Sequence, residues 1–187
     1  MIDEQRVKEA RDNVKGYLSD GLLYSKNKEN TRFIDFFLDN SLKSLQTADI
    51  LYSLSETPAT KTFLKIDEGF ESYLWVTVCS YYSMFYSALA LLATKEYKVG
   101  RKNIHKVVAD TLITILSDKK ELSQLLQDYD ELKDQAITLL IKSYEAEREK
   151  RSKFQYETGY TAKKNYAQTS LQRAKEFVNE IRKIIKK

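Results

Sequence analysis

The chain has 187 residues, a length that suits one domain with a sizeable core. Apolar residues make up 42% and charged residues 31%, with one Pro and five Gly; together with abundant Lys, Glu, Leu and Ala this argues for long helices joined by short turns. One Cys and one His exclude an intrachain disulfide and a structural zinc site. The net charge of +4, spread over 31 basic and 27 acidic residues, permits contact with nucleic acid without demanding it.

The chain opens on MIDEQRVKEARDNVKGYL, charged and without an apolar core, so no signal peptide is expected. Val7, Ala10, Val14, Tyr17, Leu18 and Gly21 follow helical spacing and predict a helix over 3–24. A polar turn, SKNKENTR, then places Thr31 as the N-cap of a helix over 32–54, whose stripe is Ile34, Phe37, Leu38, Ser41, Leu45, Ala48 and Tyr52. Pro58 disfavours helix at Thr57 and predicts an irregular linker with one turn near Lys61–Leu64.

A third helix is predicted over 68–95. It carries SYLWVTVCSYYSMFYSALALLAT, residues 72–94, a run without Asp, Glu, Lys, Arg or His. About 20 apolar residues cross a bilayer, so a membrane span is one reading. Six Ser or Thr and four Tyr dilute the run, and a helix apolar nearly all round belongs at the centre of a bundle. Interior packing is the expectation, with Cys79 an inert buried thiol and no contact with a membrane.

Gly100 breaks the chain, and Asn103 is placed to cap a fourth helix, 104–116, with Val107, Val108, Leu112 and Ile115 inward. Ser117 is placed to cap a fifth helix, 119–154, which ends before Gly159. A last helix, 162–185, shows Tyr166, Leu171, Ala174, Phe177, Val178, Ile181 and Ile185 at helical spacing. The fold class is therefore all-α: an up-and-down antiparallel bundle of five to six helices, in one domain spanning 1–187. No strand pattern of length and no internal repeat is present.

Two stretches could carry chemistry. At the end of the fifth helix Arg148, Arg151 and Lys153 cluster before Tyr156. One reading is a solvated helix end, since cations favour a helix C-terminus; the other is a phosphate-binding set with a tyrosine that stacks or donates. His105 follows Arg101 and Lys102 and reads as a capping or surface residue, or as part of a basic site. No Glu-x-x-His, phosphate-binding glycine loop or nucleophile elbow occurs, so no metal and no cofactor is expected.

The segments LDNSLKSLQTADILYSL, YLWVTVCSYYSMFYSALALLATKEYKVGRKNIHKVV, EREKRSKFQY and SLQRAKEFVNEIRKII, taken together, resemble the HEPN family of prokaryotic helical domains. The likeness covers residues 33–185, with 1–30 as an N-terminal helical extension. It implies a cytoplasmic homodimer that binds RNA or a nucleotide in a toxin–antitoxin or defence system, often beside a nucleotidyltransferase partner protein. It assigns Arg148, Arg151, Lys153, Tyr156 and His105 to binding, and Arg151 with Tyr156 to any catalysis. Many members are metal-independent ribonucleases marked by an Arg followed after four to six residues by His. Here Tyr156 stands where that histidine would be. A phenol with pKa near 10 is about a thousandfold less ionised at neutral pH than a group titrating near 7. Binding without efficient catalysis is the expectation; a metal-independent endoribonuclease and a purely structural interaction module are the alternatives.

Overall fold

A computed structural model of the chain describes residues 4–117, 124–134 and 160–186. Helix α1 spans Glu4–Ser19, α2 Ile34–Glu56, α3 Pro58–Leu64, α4 Tyr73–Thr94, α5 Ile104–Leu116, α6 residues 124–134 and α7 Tyr160–Lys186. The protein is an all-α helical bundle, as its periodicity predicts.

The apolar run is α4, and it forms the centre. Its most apolar window is long and apolar enough to cross a membrane, yet 78% of that window is buried inside the protein. Tyr81, Met84, Ala88, Leu91 and Leu92 meet Val108 and Leu112 of α5, Leu126, Tyr129 and Leu132 of α6, and Phe177 and Ile181 of α7. Small residues let α2 come close. Ser41 Oγ donates to the Ser83 carbonyl at 2.8 Å and lies 2.7 Å from Ser87 Oγ, all without solvent exposure. At the other end Ser55 Oγ lies 2.9 Å from Ser72 Oγ, so α2 and α4 run antiparallel. Glu56 pairs with Lys164, and Asp49 with Lys175 at 2.6 Å, which sets α7 antiparallel to α2. Glu56 also accepts from the Tyr73 hydroxyl. Lys164 and Tyr73 together hold its carboxyl below the usual range.

Four local expectations are corrected. The first helix ends at Ser19, because Gly21 turns the chain at φ 68° and Leu23–Tyr24 pairs as a short antiparallel strand, β1, with Lys98–Val99, β2. Thr31 is not an N-cap: it lies inside a 3₁₀ turn, Lys28–Phe33, whose cap is Asn27 accepting from the Asn30 amide at 3.2 Å. Residues 58–64 are a full helix rather than one turn, since Pro58 sits at its first position, where a missing N–H costs nothing. The fourth concerns Asn103. It precedes α5 in a left-handed conformation, φ 53°, with no capping hydrogen bond from its side chain.

These corrections matter because they position the N-terminal segment. Gly100 donates its amide to Leu22 O at 2.8 Å, and a Cβ there would stand 3.1 Å from that oxygen. Asn27 donates to Glu96 O at 2.8 Å. The extension is thus stitched to the loop that leads into α5.

Candidate functional site

A cleft of about 590 Å³ opens between α1, the β2–α5 loop, the first turns of α5, and α6. Its α1 wall carries Arg6, Glu9 and Asn13, spaced by three and four so that they share one helix face. Arg101, Asn103, His105 and Lys106 form the opposite rim, and Lys133 with Asp134 of α6 complete it.

Asp110 anchors the cleft. Its carboxylate is wholly buried and takes hydrogen bonds from Arg6 Nη1 at 2.8 Å, Asn13 Nδ2 at 3.0 Å and Tyr17 Oη at 2.7 Å. A buried carboxylate is tolerated when it is paired and its lone pairs are satisfied. The same arginine reaches α6, where its Nε donates to Asp130 at 3.0 Å, and Lys133 donates to Asp130 at 2.8 Å. Burial opposes ionisation of Asp130, but the hydrogen bonds from Arg6 and Lys133 outweigh it and hold its pKa below the usual value. Burial and the bond to Asp110 push the Tyr17 phenol well up, so it stays protonated and donates. One arginine therefore ties three helices together.

His105 forms the inner edge. Its Nδ1 and the Tyr81 hydroxyl are hydrogen-bonded at 2.7 Å, and its ring lies 4.7 Å from that of Phe85. Nε2 makes no hydrogen bond among the described residues, and His105 lines the cleft. Burial, with the Lys133 cation as a second cause, lowers the His105 pKa from its ordinary value, so the ring is neutral at pH 7. Burial also raises the Tyr81 phenol far above its usual value.

Charge is unevenly spent around this cleft. Arg6 and Lys133 are engaged with Asp110, Asp130 and Asp134. Arg101 and Lys106 make no ion pair among the described residues. Two cations are thereby left beside a neutral imidazole. That set suits the oxyanion of a phosphate or carboxylate. No group of three or more metal-ligating side chains occurs among the described residues.

Of the residues assigned to binding or catalysis from the sequence, His105 falls in this site, together with the neighbouring Arg101 and Asn103. Arg148, Arg151, Lys153 and Tyr156 lie outside the described residues. Sequence reasoning missed Arg6, Asn13, Asp110, Tyr81 and Lys133. Their one local signal was the Arg6, Glu9, Asn13 spacing, which reads as an ordinary solvated helix face; Arg6 and Asp110 are 104 positions apart.

The chain matches no protein-family model, no curated protein and no solved structure.

Proposed function

We propose that the chain is an HEPN-like cytoplasmic domain that binds RNA or a nucleotide through the His105 cleft. It acts as the homodimeric binding component of a toxin–antitoxin or defence system, alongside a nucleotidyltransferase partner, without efficient catalysis. The observation that carries the binding reading is the pair of cations, Arg101 and Lys106, which make no ion pair among the described residues and line one cleft with the hydrogen-bonded His105. The sequence likeness supplies the biological setting, and it assigns Arg148, Arg151, Lys153 and Tyr156 to the same ligand.

Fluorescence anisotropy with a labelled single-stranded RNA, and calorimetry with adenosine 5′-monophosphate, test this at low salt. Arg101→Ala with Lys106→Ala removes two phosphate contacts. It should weaken RNA binding by about tenfold or more and flatten its salt dependence by about 1.4 in log–log slope, at about 0.7 per contact on a single strand. Unchanged affinity in that double variant rejects the cleft. Loss only in Arg148→Ala with Arg151→Ala moves the site to the segment before Tyr156.

A further inference from the structure

The hydroxyls behind His105 decide which of its two neutral forms it takes. Tyr81 is 1% exposed and Tyr129 0%, with ring centres 6.2 Å apart. The Tyr129 hydroxyl lies beside that of Tyr81 and has no hydrogen-bond partner. Consider where each proton goes. If Tyr81 donates to His105 Nδ1, its own proton has an acceptor, and the Tyr129 proton is the one left without. If the ring instead donates from Nδ1 to Tyr81, the Tyr81 proton loses its acceptor among the described residues as well. Two hydroxyl protons are then stranded in the interior instead of one. A buried donor without an acceptor costs about 1–3 kcal/mol, so the first arrangement wins.

We propose that Tyr81 locks His105 as the Nε2–H tautomer, making it a fixed hydrogen-bond donor in the cleft, specific for an acceptor such as a phosphate oxygen and unfit to serve as a general base. The polarity is the reverse of a nucleophile-activating triad, where a carboxylate accepts from Nδ1–H and frees the Nε2 lone pair for proton abstraction. Here a phenol donates to Nδ1, and Nε2 has no lone pair to offer. This choice of ligand rests on the binding reading above; the lock itself does not.

The single histidine makes the test direct. Nitrogen-15 resonances of the His105 ring, recorded at pH 7.5, should show Nε2 protonated and Nδ1 as a hydrogen-bonded acceptor. Tyr81→Phe should move the Nδ1 resonance toward that of free imidazole and give a tautomer mixture, while Tyr129→Phe keeps the wild-type form. A wild-type ring protonated at Nδ1, or an Nδ1 resonance that ignores Tyr81→Phe, overturns the lock. Binding of adenosine 5′-monophosphate should fall about tenfold in His105→Ala. His105→Gln should restore it to within about threefold, because the glutamine amide supplies a donor near the Nε2 position and no base. Loss in both variants overturns the donor role. Silence of the wild-type protein toward that nucleotide and toward RNA overturns the binding reading alone, because the ring signals judge the lock without any ligand.

Discussion

His105 shows how one side chain takes its character from residues distant in sequence. Tyr81 of α4 bonds its Nδ1, Phe85 lies against its ring, and Lys133 of α6 adds a nearby positive charge. Arg101 and Lys106 on the rim add two more cations, against Glu9 and Asp134. Burial first, then Lys133, lowers its folded-state pKa. An unfolded chain binds that proton near the ordinary value of about 6.5. Between the two values the unfolded state holds more protons, so stability is full above about pH 6.5 and declines as pH falls toward the folded pKa. The carboxylates act lower: Asp130 and Glu56 have depressed folded pKa values, so their contribution fades only below about pH 4. Urea midpoints measured from pH 8 to pH 3 should therefore fall in two stages. His105→Asn should remove the upper stage, and its persistence in that variant would assign it elsewhere. The sequence supplied the lone histidine but not its phenol partner, because helical spacing says which residues share a helix face and nothing about which helix faces it.

At the scale of elements, spacing located α2 and α5 closely, because each has apolar positions that repeat with the helical period, while the charge-free run located α4, whose helix starts at Tyr73 rather than at 68. It missed α3, since Pro58 reads equally as a break and as a first helical residue, and only the extended Thr57 before it resolves which. It also missed β1 and β2, two residues each, too short to show alternation. The α2–α4 contact is a close one. Ser41, Ser83 and Ser87 are fully buried, and their hydroxyls are satisfied across or along the helices. Small side chains there set the distance between the helix axes. Ser87→Leu has no room and should destabilise the protein by about 2 kcal/mol through overpacking. Ser87→Ala removes one hydroxyl bond and should cost about 1 kcal/mol. Equal denaturation midpoints for the two variants would show that the helices are not held this close.

For the whole molecule, the question is how firmly the N-terminal segment belongs to the bundle. On the resemblance proposed from the sequence, which begins at residue 33, residues 1–30 read as an extension of the bundle. The structure joins it by mixed means. Ala10 and Val14 enter the core, Leu22 accepts from Gly100, and Arg6 links α1 to both α5 and α6. The apolar share is small beside that of α4, so polar pairing carries much of the attachment. Removing one partner of a buried ion pair strands the other, a loss of about 3 kcal/mol. Arg6→Ala leaves Asp110 with only Asn13 and Tyr17 as donors. The α1 amides should then exchange with solvent about a hundredfold faster, the equivalent of that loss. In the wild-type protein the slowest amides of α4 should outlast those of α1, since freeing α4 means opening the whole core. Equal protection of α1 and α4 would make the extension part of one cooperative unit. The cleft wall formed by Arg6, Glu9 and Asn13 would then be as permanent as the core beneath it.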